Sequence, residues 1–262
     1  MLRAMMVGIV MLGGSMLGGG GMETGLGQPR VEKASERLEN YEERRVGGLT
    51  VHVNKALLAD KGLTLRVMLQ LEADLDEIEH MVPAPAWKVL TEVHVWVERQ
   101  GSTASAGKGR GLCCHWSPGW LASHGILTQK AGGVEIINPE DFLTWRRDQP
   151  YMLFHELAHA LHWRLARLDP EIDAAFAQAM SARLYDAVGR NTVTGKQTVR
   201  AYAASNSHEY FAELSEAYFA LNDYFPYTRA QLAALDPGGL GLVEKVWNLS
   251  AEKLEGARGQ RR

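Results

Sequence analysis

The sequence predicts an α+β fold, in which a small mixed sheet in the N-terminal half precedes a mostly helical C-terminal half. Two observations support this prediction. Short stretches of alternating apolar and polar residues, or of consecutive branched residues, fall between residues 49 and 139. Beyond residue 150, apolar residues recur at helical spacing in almost every segment. A group of strands followed by a group of helices is typical of α+β proteins.

The predicted strands are short. In TEVHVWVE, residues 91–98, three valines alternate with polar or aromatic residues, as in a strand that buries one face. The other segments of similar character are LTVHVN (49–54), LCCHW (112–116) and GGVEIINP (132–139).

The predicted helices follow the 3.6-residue period. One covers residues 63–82 and ends before Pro83, and a short one begins in PEDFLTWRR. The predicted helices of the C-terminal half are 150–167, 170–187, 206–222, 228–235 and 241–254. The segment 101–111 is rich in glycine and serine and is predicted to be a loop.

A single domain is expected over residues 48–254. The charged segment 22–47 is interpreted as a linker with a short helix, and the basic residues 255–262 as a disordered tail. In residues 1–21, a positive charge precedes an apolar run and then small residues, the layout of a signal peptide. A secreted or cell-envelope (periplasmic) location is therefore expected, with a disordered leader as the alternative. The apolar run is too short and glycine-rich for a stable membrane span.

Composition narrows the class of protein. The 262 residues carry a net charge of -3 and are 46% hydrophobic, as in an ordinary globular protein. No basic stripe is present, so a nucleic-acid partner is not expected. Cys113 and Cys114 are adjacent, and neighbouring cysteines rarely bridge each other. We interpret the pair as packing residues, with redox sensitivity as the alternative.

The segment FHELAHALHWR contains the pattern H-E-x-x-H. On a helix, His155 and His159 lie one turn apart on the same face and present both imidazoles to one point. Glu156 lies about 100° round the helix, where its carboxylate can take a proton from a zinc-activated water. This is the arrangement of a zinc hydrolase. The alternative is a buried core helix whose histidines are satisfied by hydrogen bonds.

A catalytic zinc ion needs a third protein ligand. His162 lies on the same face as His155, but about 10 Å further along the helix axis, too far for one ion to bind both. In AYAASNSHEYFAELSEAYF, Glu209, Glu213 and Glu216 form one stripe. Spacing alone leaves two interpretations open: this stripe supplies the ligand, or it is a solvated face that begins with the N-cap Asn206.

The two segments together resemble a known family. HELAH followed about fifty residues later by Y-x-x-x-N-x-x-E-[YF]-F-A-E is similar to the catalytic domain of anthrax lethal factor and related gluzincins, including the Pro-Pro endopeptidases. The resemblance covers residues 150–222. It implies a zincin-like fold with one Zn²⁺ per chain, held by His155, His159 and Glu209.

The same resemblance implies roles for the neighbouring residues. Glu156 would act as general base and then as proton donor, Tyr202 would stabilise the oxyanion, and Glu213 would brace a ligand imidazole. The expected activity is that of a zinc endopeptidase acting on a peptide or protein substrate. The sequence leaves the oligomeric state open. A non-proteolytic zinc amide or ester hydrolase and an inactive zinc-containing binding protein are the alternatives.

The resemblance also implies that an extended substrate lies along an edge strand. Residues 112–121 and 134–138 are the two candidates for that strand. Strand addition would supply backbone hydrogen bonds without sequence specificity. His115, Trp116 and Trp120 are candidates for the wall of the cleft, and an aromatic cluster beneath a loop is the alternative interpretation of the same residues.

Overall fold

The computed structural model describes residues 37–99 and 111–259 of the chain. Its main sheet contains five strands in the order β1-β2-β3-β5-β4. They are β1 (Tyr41–Val46), β2 (Leu49–Asn54), β3 (His94–Val97), β4 (Leu112–Cys114) and β5 (Val134–Ile136). The pairs β2–β3 and β3–β5 are parallel, whereas β1–β2 and β5–β4 are antiparallel. The sheet is therefore mixed, and β4 forms one of its edges.

One face of this sheet carries the core. The register places Val51 opposite Val95 and Val95 opposite Val134, and all three side chains are fully buried. Alternation along the strands sends Trp96 and Glu135 to the other face. The two faces therefore differ in chemistry: one is apolar and meets the helices, and the other carries polar groups.

Eleven α-helices surround the sheet within the described ranges. They are α1 (Lys55–Leu58), α2 (Lys61–Met81), α3 (Ala84–Leu90), α4 (Pro118–Ser123), α5 (Pro139–Thr144), α6 (Met152–Arg164), α7 (Asp169–Ser181), α8 (Ser207–Phe219), α9 (Arg229–Leu235), α10 (Pro237–Trp247) and α11 (Ala251–Ala257). A short hairpin of β6 (Val188–Thr192) and β7 (Gly195–Val199) lies between α7 and α8. Among the described residues, no helix combines the length and apolarity needed to cross a membrane.

Helix α6 lies at the centre of the fold. It contacts α3, α8, β4 and β5, and Phe154, Leu157 and Leu161 on it are fully buried. Phe154 contacts the Trp247 ring of α10 at a centroid distance of 5.4 Å. Full burial of one such side chain contributes about 1.5–3 kcal/mol to folding. The polar residues of α6 are therefore held on a rigid, closely packed rod.

The structure agrees with the predicted α+β class and with a small mixed sheet in the N-terminal half. Two boundaries of the predicted domain are wrong. β1 lies inside the segment interpreted as a linker with a short helix, and it pairs with β2 over its full length. Its charged sequence conceals it, because an edge strand can be polar along its exposed side. At the other end, α11 reaches Ala257 and Arg258 forms an ion pair with Glu92, so residues 255–259 are not a disordered tail.

Two details of the helical half also differ from the prediction. The β6–β7 hairpin interrupts it, because β-branched residues flank Gly195, whose positive φ of 118° suits a tight turn. The helix predicted over 241–254 is divided into α10 and α11, since Ser250 caps a new helix. The signal peptide expected in residues 1–21 and nearly all of the loop predicted at 101–111 lie outside the described residues.

Candidate metal centre

Two helices bring the predicted ligands together. His155 and His159 project from α6, and Glu209 projects from the first turn of α8, which packs against α6. The side chain of Asn206 caps α8 by accepting hydrogen bonds from the backbone amides of His208 and Glu209. That cap satisfies two amides at the helix start and fixes the turn that carries Glu209.

The three ligand atoms converge. Oε2 of Glu209 lies 3.0 Å from Nε2 of His155 and 3.1 Å from Nε2 of His159, and the two nitrogens are 3.1 Å apart. A tetrahedral zinc ion with bonds of about 2.0–2.1 Å to each ligand requires separations of about 3.3 Å. Two imidazoles and one carboxylate are also a suitable donor set for zinc. The residues present therefore fit a zinc ion, and we call these three the first site.

The electrostatics of the first site favour a cation. Burial on its own would lower the pKa of His155, but hydrogen bonds to Glu209 and Glu216 raise it well above its usual value. Burial likewise opposes ionisation of Glu209, yet the charge of His159 and the hydrogen bonds from both histidines hold its pKa far below its usual value. The carboxylates draw positive charge into the site, and a metal ion could take the place of the proton.

The ring nitrogen of His155 that faces away from the first site contacts a carboxylate. Nδ1 of His155 donates a hydrogen bond to Oε1 of Glu216 at 2.6 Å, whereas Oε1 of Glu213 lies 3.8 Å away. With a proton held on Nδ1, Nε2 could present its lone pair to a metal ion that takes the place of the Nε2 proton. The resemblance assigned this bracing to Glu213, but the structure places Glu216 in hydrogen-bonding contact. Glu213 instead accepts from the side chain of Asn222 at 3.1 Å.

The interpretation of the glutamate stripe as a solvated face is wrong. Glu213 is 0% exposed and Glu216 is 4% exposed. Burial is the largest cause that raises the pKa of both carboxyl groups. The pKa of Glu216 rises to about 7. Buried acids need partners. Glu216 contacts His155, and Oε2 of Glu213 contacts Asn222, whereas Oε1 of Glu213 has no hydrogen-bond partner among the described residues.

Glu156 lies beside the first site on the partly open side of α6. Burial raises the pKa of its carboxyl group, while the neighbouring His159 and His155 lower it in part. The backbone amide of Cys114 hydrogen-bonds to the carboxylate. The general base expected from H-E-x-x-H is thus tied to edge strand β4.

Tyr202 also lies at the first site. It begins a turn of 3-10 helix just before α8, and its ring centroid is 6.3 Å from that of His155. Burial and the negative charges of Glu209 and Glu156 raise the pKa of the phenol, which therefore keeps its proton at neutral pH. It also forms a side-chain hydrogen bond with Glu209.

The other residues considered from the sequence have different surroundings. His162 is buried, and its Nε2 contacts Oδ1 of Asp169 at 3.0 Å, away from the first site. Trp116 lies near His159, with a centroid distance of 6.2 Å, and stacks on His208 at 3.8 Å. Trp120 stacks on His124 instead.

Among the described residues, strand β4 is the last strand of the main sheet, and it lies beside Glu156. Of the two candidate segments for an edge strand, β5 lies between β3 and β4, and β4 lies at the border. Two backbone hydrogen bonds join this strand to β5: the His115 amide donates to the Gly133 carbonyl, and the Ile137 amide donates to the Gly111 carbonyl. In an antiparallel pair, alternate residues point their backbone groups the other way, so those of Leu112 and Cys114 point away from β5. Because the Cys114 amide is bonded to Glu156, an extended peptide could pair with the backbone groups of Leu112.

Comparisons of the chain with protein-family models, with curated proteins and with solved structures find no match. The interpretation of the site therefore depends on its own geometry.

Sequence reasoning missed three contacts: those of Glu216 with His155, of the Cys114 amide with Glu156, and of Trp116 with His208. A usable signal existed for the first, since Glu216 follows Glu209 by two helical turns and shares its face. The other two depend on how β4 and the loop after it are placed against α6 and α8, and no local pattern in the sequence encodes that placement.

Proposed function

We propose that the protein is a zinc-dependent endopeptidase of the gluzincin type, with a zincin-like arrangement of sheet and active-site helix. The observation that carries the proposal is the convergence of His155, His159 and Glu209, with Glu156 beside them. A zinc ion held by these three residues would supply a Lewis acid and lower the pKa of a water molecule. The rest of the reaction would be performed by the side chains and strand edge around it.

Glu156 would move the proton. A general base works best when its pKa lies near the operating pH, and burial moves the pKa of Glu156 in that direction. Glu156 would accept a proton from the attacking water and deliver it to the departing amine. The hydrogen bond from the Cys114 amide holds its carboxylate in place for both steps.

Tyr202 would stabilise the negative charge that develops on the substrate carbonyl oxygen. Its phenol keeps its proton because burial and two nearby carboxylates raise its pKa, so it remains a hydrogen-bond donor at neutral pH. A single donor of this kind contributes about 3–4 kcal/mol in comparable sites.

The position of β4 at the border of the described sheet supports a peptide as the substrate. The outward backbone groups of Leu112 could pair with an extended chain, and such pairing gives affinity without requiring particular side chains. A small amide or ester would not need this edge. The site geometry therefore favours an endopeptidase over a hydrolase of small amides.

The variant Glu156→Ala tests the proposal. Zinc content should remain that of the wild type, while cleavage of a peptide library should fall by roughly 10²–10⁴-fold because the proton acceptor is lost. His124→Ala, at an exposed position outside the site, is the control and should keep full activity. Retained proteolysis in Glu156→Ala would contradict the mechanism. Wild-type cleavage of simple amides but of no peptide would contradict the substrate class.

A further inference from the structure

A second convergence of ligand atoms lies on the polar face of the sheet. Cys113 is on β4 and faces Glu135 on β5 in the strand register. His115 follows Cys113 by two residues, so its side chain is on the same face. The three residues, which we call the edge cluster, present one sulfur, one nitrogen and one oxygen within 4.8 Å of one another.

The sulfur–nitrogen distance within the edge cluster suits a metal ion. Sγ of Cys113 lies 3.6 Å from Nε2 of His115. In tetrahedral zinc sites, bonds of about 2.3 Å to sulfur and about 2.0 Å to nitrogen place these two atoms about 3.5 Å apart. The same nitrogen contacts Oε2 of Glu135 as closely as in a hydrogen bond, so this nitrogen and this oxygen would move apart to share an ion. The sulfur of Cys113 and the carboxylate of Glu135 both contact Nε2 of His115. In a Cys-His-carboxylate catalytic triad, the sulfur and the carboxylate would contact different ring nitrogens.

The surroundings orient the ligands. Oε1 of Glu135 accepts from Nζ of Lys130 at 2.9 Å, which leaves Oε2 directed at His115. Lys130 also donates to Glu98 at 2.8 Å. Glu135 and Lys130 are fully buried and His115 is 3% exposed, whereas Cys113 is only half-buried. The cluster thus has a braced interior and an opening at the sheet edge through which an ion could enter.

The thiol of Cys113 is in an environment that a cation would change. Burial raises the pKa of this thiol well above its usual value, and the charges of Glu135 and Glu156 raise it further. Without a cation the thiol keeps its proton and is a poor nucleophile. A divalent ion would favour the thiolate.

We propose that Cys113, His115 and Glu135 form a second metal site, which takes a borderline divalent ion such as Zn²⁺ and holds the edge strand in place. One thiolate, one imidazole and one carboxylate are ligands that this class of ion accepts. The ion would join β4 to β5 at the residue next to Cys114, whose amide contacts Glu156. With three protein ligands, the ion would keep a fourth position open to water. The chain would then bind two ions where the sequence alone predicted one.

Cobalt binding tests this proposal independently of the first site. Co²⁺ bound to a thiolate gives an intense sulfur-to-cobalt charge-transfer absorption, and the first site contains no sulfur. The full chain, freed of metal and kept reduced with a phosphine, is titrated with Co²⁺. We expect this absorption to develop with about one equivalent per chain, and total binding to reach about two equivalents.

Cys113→Ala should abolish the charge-transfer absorption and lower the bound cobalt by about one equivalent. Cys114→Ala is the matched control, because its side chain faces the apolar core, and it should keep the absorption. The equivalent of cobalt that Cys113→Ala still binds at the first site shows that this variant is folded. An absorption that is absent from the wild type, that persists in Cys113→Ala or that is lost in Cys114→Ala would overturn the proposal. The first result would indicate that His115 and Glu135 form only an ion pair.

Discussion

At the scale of single residues, Glu209 determines whether the two histidines of α6 form a metal centre. His155 and His159 come from one helix, and Glu209 is the proposed ligand that reaches them from another. Its carboxylate is also the group that offsets positive charge at the centre, since its pKa is held far below the usual value despite burial. Removal of this side chain leaves two imidazoles, which bind zinc much more weakly than three ligands.

We therefore expect Glu209→Ala to lose about one equivalent of zinc per chain at concentrations that saturate the wild type. Glu171→Ala is the matched control, because Glu171 also lies in the first turn of a helix but is exposed and pairs with Lys245. Metal analysis after dialysis measures the difference. Equal zinc content in Glu209→Ala and the wild type would show that Glu209 is not a ligand.

Glu216 and Glu213 differ in what they do for His155, although they lie one turn apart. Glu216 accepts the Nδ1 hydrogen bond at 2.6 Å, so Glu216→Ala should weaken zinc binding by roughly 10–100-fold. Glu213 lies 3.8 Å from the same nitrogen, beyond hydrogen-bonding distance, and burial raises its pKa, which favours the neutral acid. Glu213→Gln, which has the shape of that acid, should therefore change zinc affinity little. Competition with a coloured chelator measures both affinities. A larger loss of zinc affinity in Glu213→Gln than in Glu216→Ala would instead support the bracing role that the resemblance gave to Glu213.

At the scale of elements, the first turn of α8 contributes both to the stability of the fold and to the position of Glu209. Asn206 caps the helix, and the amide of Glu209 is one of its two donors. Asn206→Ala should lower the free energy of unfolding by about 1 kcal/mol and should also weaken zinc binding, because the turn that carries the ligand loosens. Ser250→Ala removes the side-chain cap of α11, which accepts from one amide at 3.4 Å and belongs to a helix that carries none of the three residues of the first site.

Urea unfolding of the metal-free proteins and zinc titration of the folded ones separate the two effects. Both variants should lose stability, but only Asn206→Ala should lose zinc affinity. Equal zinc affinities in the two variants would show that the cap stabilises α8 without positioning Glu209.

The elements also show what the sequence can predict. The four-residue spacing of His155 and His159 on a helix needs only local periodicity, and the structure places both at one point. Glu209 could be located only by resemblance, because the approach of α8 to α6 depends on packing between segments about fifty residues apart. β1 was missed for a related reason: its strand character comes from pairing with β2, and its own residues are mainly charged.

At the scale of the whole molecule, the fold encloses an unusual number of acidic groups. Burial raises the pKa of Glu156, Glu213 and Glu216, and carboxylates raise that of His155 despite burial. The metal-free folded chain therefore binds more protons than the unfolded chain above pH 4.5. Its stability should fall as the pH rises, because stability decreases wherever the folded state binds more protons. His52 and His94, whose pKa burial lowers, act in the opposite sense below pH 6.5.

We expect the melting temperature of the chelated protein to be highest near pH 5 and to fall towards pH 8 by roughly 5 °C or more. The contribution of Glu216 is complete below its unfolded pKa of 4.5 and is lost as the pH passes its folded value of about 7. Zinc should reverse the loss, because it takes over the charge that the bound protons supplied. At 1,000 times its dissociation constant, it adds about 4 kcal/mol. Glu216→Gln should flatten the pH dependence of the chelated protein. A melting temperature that rises steadily from pH 5 to pH 8 without metal would contradict this account of the buried acids.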